Sequence, residues 1–172
     1  AIDDVLKKMN SSNNVKIIYP NPQGKTWDHS KALNFSNSNE NLIFICGHYK
    51  GIDERVVEKY VTDEYSLGDY VISNGELSTL VIIDSIVRLM PGVLNHISSA
   101  QTDSFYNNLL DAPYYTNPRE LDGMKVPDVL LSGDHKKIKS WKNKNRKART
   151  MINRPDLWDR YTNENKSEIR NE

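Results

Sequence analysis

Leu42-Ile43-Phe44-Ile45-Cys46 is an apolar run of strand length that halts at Gly47 and turns again at Gly51. A run without polar alternation is buried on both faces, the habit of parallel strands covered by helices. The pattern is echoed downstream by Tyr65-Ser66-Leu67-Gly68-Asp69-Tyr70-Val71-Ile72-Ser73-Asn74-Gly75-Glu76. In α/β folds the C-terminal ends of such strands open into turns that line ligand pockets. Two of them, close in sequence and joined by a helical segment, point to one pocket.

The rest of the chain fits around this pair. Ile2, Val5, Leu6 and Met9 give an amphipathic helix with no cap and no strand before it, as expected of a chain that lacks its natural start. Val15–Tyr19 reads as a strand that Pro20-Asn21-Pro22-Gln23-Gly24 ends, because proline gives no ladder donor. A helix over Thr26–Phe35 follows, then the central strand Leu42–Cys46, then a helix from Asp53 or Gly51 to Tyr60. Tyr70–Ile72 reads as a second buried strand. Ser73 and Glu76 form a capping box for a helix over Leu77–Met90, stopped by Pro91. On that helix Asp84 and Arg88 are spaced to pair. Gly92–Asn108 reads as a linker, with Asp103 as a helix N-cap for Ser104–Leu110. Beyond an extended Tyr- and Pro-containing segment, Asp134 or Ser132 caps a long helix. Its inner stripe is Ile138, Trp141, Asn145, Ala148 and Ile152. Arg154-Pro155 breaks that helix and starts a last short one, with a polar tail from Thr162. The order is that of an α/β domain followed by a small helical one.

Several chemistries lack their signatures. The chain has no GxGxxG, GxxxxGK[ST], CxxC or HExxH pattern, and His29, His48, His96 and His135 are scattered, so no metal site is expected. No apolar run reaches the length that spans a bilayer, and the acidic start is not a secretory n-region. The lone Cys46 excludes an internal disulfide and fits a reducing compartment. The net charge is zero, yet His135–Pro155 holds Lys136, Lys137, Lys139, Lys142, Lys144, Arg146, Lys147, Arg149 and Arg154 and no acid. Such segregation makes either a face for a polyanion or a solvated helix surface. The glycine loops 20–24, 47–51 and 68–75 are open in the same way, as turn architecture or as a small-molecule site.

Longer motifs narrow these alternatives. They are Tyr19-Pro20-Asn21-Pro22-Gln23-Gly24, Cys46-Gly47-His48-Tyr49-Lys50-Gly51-Ile52-Asp53-Glu54-Arg55-Val56, the stretch Ser66–Leu77, Arg88 with Pro91-Gly92-Val93-Leu94, Thr102-Asp103-Ser104-Phe105, and Val126–His135. Together, from about Val15 to Trp158, they resemble the bacterial tRNA (guanine-N1)-methyltransferase family, TrmD. The resemblance implies a SPOUT-class α/β fold, a parallel sheet with a deep trefoil knot, followed by a small all-helical C-terminal domain. It implies a knotted S-adenosylmethionine-binding domain over 1–94, a flexible linker over 95–110 and a tRNA-binding helical domain over 111–172. The three loops would form the knot.

By the same resemblance, S-adenosyl-L-methionine is held by Tyr19, Pro20, Asn21, Pro22, Gln23, Gly47, Tyr49, Leu67, Gly68, Tyr70, Ile72, Asn74 and Gly75. Asp103 is the base that removes the guanine N1 proton, and Arg88 the cation that meets the charge developing on O6. His135, Lys139 and Lys142 contact tRNA. The resemblance further implies a cytoplasmic homodimer with its active site between subunits, methylating the guanosine 3′ of the anticodon. Two other readings stand beside this one: a truncated, non-catalytic cofactor- or RNA-binding fragment, and a SPOUT methyltransferase for another RNA. The sequence departs from the family at Lys50, where Glu is usual, and at Asn21, Asn74 and Ser78, where Ser, Gly and Pro are usual. The family's opening strands and Gly-rich loop are not found here.

Overall fold

The computed structural model describes residues 4, 5, 14–93 and 103–166. The expected N-terminal helix and much of the expected linker lie outside them, apart from Asp4 and Val5, which are helical. The chain divides into two compact units, Ala1–Ile97 and Ser98–Glu172.

The first unit is mixed α/β. Strand β1 spans Val15–Thr26, β2 Asn41–Phe44 and β3 Asp63–Ser66, in the order β2-β1-β3 and all parallel. Helix α1 (His29–Ser36) follows β1, α2 (Glu54–Tyr60) precedes β3, and α3 (Gly75–Val87) follows it. The central strand is therefore β1, not the Leu42–Cys46 run, which forms β2 at one side of the described sheet. The reason is length. β1 pairs with β2 through Val15–Ile18 and with β3 through Ile18–Pro20 and again through Lys25–Thr26. Successive residues Ile17, Ile18, Tyr19 and Pro20 are all buried, as a strand covered on both faces requires.

Two prolines sit inside this central strand, where they were expected to end it. They are tolerated because the ladder skips: Pro20 and Lys25 both oppose Tyr65, and residues 21–24 leave the sheet as an excursion. Gly24 lets the strand return. A Cβ there would lie 2.5 Å from Glu64 C and Tyr65 N. Tyr70–Ile72 is not a strand. The β3 ladder stops at Ser66, where β1 also ends, and an apolar triplet without a ladder partner becomes loop. Val71 is 85% exposed.

Ile18, Ala32, Tyr65, Ile82 and Ile86 form the core, with Trp27, Phe35, Leu42, Phe44, Leu67 and Leu89 packed on it. Fully buried Ile18 and Ile82 each contribute about 2–3 kcal/mol by the area they remove from water. Trp27 meets Tyr65 edge-on at 4.9 Å between centroids, and its indole N–H donates to Ser85 Oγ at 2.9 Å. This ties α3 to the end of β1.

In the second unit, α4 (Asp128–Leu131), α5 (His135–Asn153) and α6 (Pro155–Glu164) follow a 3-10 turn at Tyr106–Asn108. The short strands β4 (Glu120–Leu121) and β5 (Met124–Lys125) pair antiparallel, so the unit is not all-helical. Asp134 caps α5 by accepting from Lys136 and Lys137 N–H, both at 3.1 Å. Those bonds, the Lys137 N–H first, hold its carboxyl below the usual range. Pro155 stands in the first turn of α6, where its missing N–H costs nothing.

The inner face of α5 differs from the expected stripe. Ile138, Trp141 and Asn145 are half-buried, but Ala148 and Ile152 are exposed. Thr150 is fully buried in their place; its Oγ1 accepts from Leu110 N–H at 2.8 Å and donates to Arg146 O at 2.7 Å. Arg146 also turns inward, to the carbonyls of Leu110 and Tyr106. Polar groups replace apolar ones because the helix packs on an irregular segment whose backbone must be satisfied.

Candidate functional site

Three loops of the first unit meet at one end of the sheet. The first is the 21–24 excursion from β1. The second leaves β2 at Gly47. The third runs from Ser66 to Gly75 and enters α3. The second and third are fastened to each other. Gly75 N–H donates to Gly47 O at 3.0 Å, and His48 and Asn74 form an isolated antiparallel bridge. The approach is tight: a Cβ on Gly75 would lie 3.0 Å from Cys46 Cα and from Gly47 N, so a larger residue would push the loops apart by a few tenths of an ångström. A side-chain clasp reinforces it: His48 Nε2 lies 2.5 Å from Glu76 Oε1. That bond holds the Glu76 carboxyl below its usual range.

The expected capping box is absent. Asn74, not Ser73, is the N-cap of α3, and no side chain caps there. The Glu76 carboxylate reaches across to His48, so the interloop contact displaces the local one. Asp53, by contrast, does cap α2, accepting from Arg55 N–H at 2.9 Å.

The loops enclose a cleft of about 520 Å3, within the range of small-molecule sites. Tyr19, Pro20, Asn21, Pro22, Gln23, Gly47, Tyr49, Leu67, Tyr70, Ile72, Asn74 and Gly75 line it. Every expected cofactor position is therefore on its wall except Gly68. A Cβ on Gly68 would come within 2.8 Å of the Tyr70 ring, which covers it. The wall also holds Lys50, Glu54, Ser66 and Ser78, which were not among the expected cofactor positions; Lys50 and Ser78 stood out in the sequence only as departures from the family. Two details mark the cleft as built for a ligand. Asn74 Oδ1 is buried there and has no hydrogen-bond partner; such an acceptor is costly unless a bound group donates to it. Tyr49 adopts a left-handed φ of 58° with its ring fully exposed, a strained placement of an aromatic at a site.

The remaining candidates lie elsewhere. Arg88 is the C-cap of α3, its N–H bonded to Asp84 O at 3.1 Å. Asp103 belongs to the second unit and is half-buried, but it does not cap a helix over Ser104–Leu110. The turn there is a 3-10 turn entered through Phe105 at φ 76°, which breaks the helix the sequence favours. On α5, Lys139 lines a groove with Lys136, Ser140, Asn143, Lys144 and Lys147. His135 is exposed at the start of the helix, and Lys142 sits over the Tyr114 ring at 5.5 Å instead. Among the described residues no three metal-binding side chains gather, and no helix is long and apolar enough to cross a membrane.

The sequence profile of the family described as "tRNA (Guanine-1)-methyltransferase TrmD" matches residues 1–160. A tRNA (guanine-N(1)-)-methyltransferase of Staphylococcus carnosus is 48% identical over 92% of this chain and 64% of its own length. The enzyme of the same name from Psychromonas ingrahamii is 53% identical over 83% and 57%, and that of Lachnospira eligens 45% identical over 98% and 70%. The chain thus spans a little under two thirds of the first two of these relatives. A match over nearly the whole chain, at this identity, settles descent: the chain belongs to the tRNA (guanine-1)-methyltransferase family, TrmD.

Proposed function

We propose that the protein methylates N1 of a guanosine in tRNA, with S-adenosylmethionine as methyl donor. The observation that carries this is the three-loop cleft with its orphaned Asn74 acceptor, in a chain of this family. The cleft residues fit a purine nucleoside: neutral backbone groups at Gly47 and Gly75, an unmatched acceptor for an amine donor, and exposed aromatic and aliphatic surface on Tyr70, Val71 and Ile72. S-adenosylmethionine, when bound, supplies an electrophilic methyl group on sulfonium. In this reading the donor is held by Tyr19 to Gln23, Gly47, Tyr49, Leu67, Gly68, Tyr70, Ile72, Asn74 and Gly75, in a knot threaded by the three loops.

Guanine N1 carries a proton at neutral pH, so its lone pair is free for attack only once a base removes it. Asp103 takes that proton. Deprotonation shifts negative charge to O6, where Arg88 stabilises it. The α5 groove and the neighbouring His135, Lys139 and Lys142 hold tRNA phosphates, whose attraction is independent of sequence and weakened by salt. The exposed apolar side of α3, with Leu77, Leu80, Val81, Ile83 and Val87, supports a homodimer, because such a stripe is not left in water at no cost. The compartment of tRNA, and a free Cys46, fit the cytoplasm.

Methyl transfer from labelled S-adenosylmethionine to tRNA transcripts, with and without G after the anticodon, tests the assignment. Wild type modifies only the first, and Asp103→Asn lowers the rate at least about 100-fold while the affinity for S-adenosylhomocysteine stays within about twofold. Methylation independent of that G moves the protein to another RNA substrate. Binding without transfer by wild type makes this stretch a non-catalytic holder of donor and RNA.

A further inference from the structure

The cleft wall is neutral except at one place. Lys50 and Glu54 are its ionic side chains, on the loop after Gly47 and in the first turn of α2. They lie four residues apart and flank Asp53, whose carboxylate is already taken up by Arg55 and by the cap of α2. Neither Lys50 nor Glu54 has an ion-pair partner among the described residues, and both are exposed residues of the cleft wall. The less exposed part of the wall, at half-buried Gly47, Leu67 and Asn74 and buried Gly75, carries no charge.

We infer that Lys50 and Glu54 together recognise an α-amino acid group, Lys50 taking the carboxylate and Glu54 the ammonium. The inference rests on the proposed use of the cleft for S-adenosylmethionine. A ligand with a neutral purine end and a zwitterionic end meets its charge complement in this arrangement. One cation and one anion on the exposed part of the wall, with no charge on its less exposed part, orient such a ligand with its purine against the latter. A simple nucleoside would leave both charges unused. A phosphorylated one would bring two or more negative charges against Glu54, so the pair also selects against nucleotides.

Calorimetric titration of the protein separates the possibilities. The probes are S-adenosylhomocysteine, which carries the amino acid group; 5′-methylthioadenosine, which lacks it; and decarboxylated S-adenosylhomocysteine, which keeps only the amine. Wild type should bind the first about tenfold or more tightly than the second. Lys50→Met should lose most of that difference while its affinity for methylthioadenosine is unchanged, and Lys50→Arg should keep it. Glu54→Gln should weaken binding of the decarboxylated compound about fivefold and leave methylthioadenosine alone. If Lys50→Met binds S-adenosylhomocysteine as wild type does, or loses affinity equally for all three compounds, the assignment is overturned while the cleft remains a donor site. If wild type binds none of the three, the donor reading itself fails.

Discussion

Gly24 offers the sharpest physical test of how the cleft is built. It closes the excursion that carries Asn21 to Gln23 out of the ladder, and it does so against backbone. A Cβ at this position would stand 2.5 Å from Glu64 C, 2.5 Å from Tyr65 N and 2.7 Å from Glu64 O. Carbon atoms in good contact are about 3.5–4.0 Å apart, so Gly24→Ala drives an atom roughly 1 Å into β3. No flexible side chain can swing aside, because the atoms met belong to the strand. Overpacking of this kind costs about 1–3 kcal/mol. Separation of β1 from β3 also loses backbone bonding near the Lys25–Tyr65 and Thr26–Ser66 pairs, about 1 kcal/mol for each bond broken. The expected destabilisation of the first unit is therefore about 3 kcal/mol, a fall of roughly 15 °C in Tm for a unit of this size. The assay is urea unfolding followed by the emission of Trp27, in a Trp141→Phe, Trp158→Phe background so that Trp27 alone reports. Gly123→Ala is the control. Its Cβ would meet nothing within 4 Å, but its φ of 79° is strained for alanine, which costs about 1 kcal/mol, and it lies in the second unit. The Trp27 transition of that variant should match wild type. A Gly24→Ala transition within about 0.5 kcal/mol of wild type would refute the claim that backbone contact fixes glycine there.

Two further outcomes follow from the cores of the two units. The Tyr65 phenol is pushed up to about 12, by burial first and by Asp63 beside it second. Its neutral form is therefore favoured in the folded state, with stability fully present below pH about 10 and lost as pH rises toward 12. Alkaline unfolding curves should show this loss for wild type and a shallower one for Tyr65→Phe; equal slopes would contradict it. In the second unit, Thr150→Val keeps the shape but strips the acceptor from Leu110 N–H. It should lower the stability read from Trp158 by about 1–3 kcal/mol, with Thr150→Ser recovering most of the loss. A neutral Thr150→Val would mean that water replaces the hydroxyl.

What could be read in the sequence was what composition determines locally. Asp53 caps α2 and Asp134 caps α5 because a short carboxylate before a helix meets free N–H groups wherever the chain goes next. Loops 20–24, 47–51 and 68–75 were legible as turns from their glycines, and as a single site from motif resemblance. Pairing was not legible. Nothing in Val15–Thr26 says that this strand, with its two prolines, would take neighbours on both sides and resume after an excursion. That outcome depends on β2 and β3, which lie far along the chain. Tyr70–Ile72 looked like strand because β-branched and aromatic residues suit both a pleated sheet and a pocket rim. Arg146 and Thr150 were hidden for a related reason. In a basic run, an arginine that turns inward to the carbonyls of Leu110 and Tyr106 has the same spelling as one that faces solvent.

The pairing of β1 with strands far along the chain also shapes the cleft. Each wall loop is the continuation of a strand anchored on β1, or an excursion of β1 itself. The Gly47 loop extends β2, held one residue further by Ile45 N–H on Ile18 O at 2.9 Å. The Ser66 loop extends β3, held by Trp27 N–H on Ser66 O at 2.7 Å. The geometry of the cleft is thus set by sheet register, and a one-residue slip of either neighbour would carry its whole loop about 3.3 Å along the strand. Bonds between the loops, from Gly75 N–H to Gly47 O and from His48 to Glu76, then fix the walls across the opening. A site made this way needs few charged side chains to hold its shape, since backbone supplies it. Lys50 and Glu54 are consequently free of any structural ion pair among the described residues, which is what allows a charge at position 50 to answer to the ligand instead of to the fold.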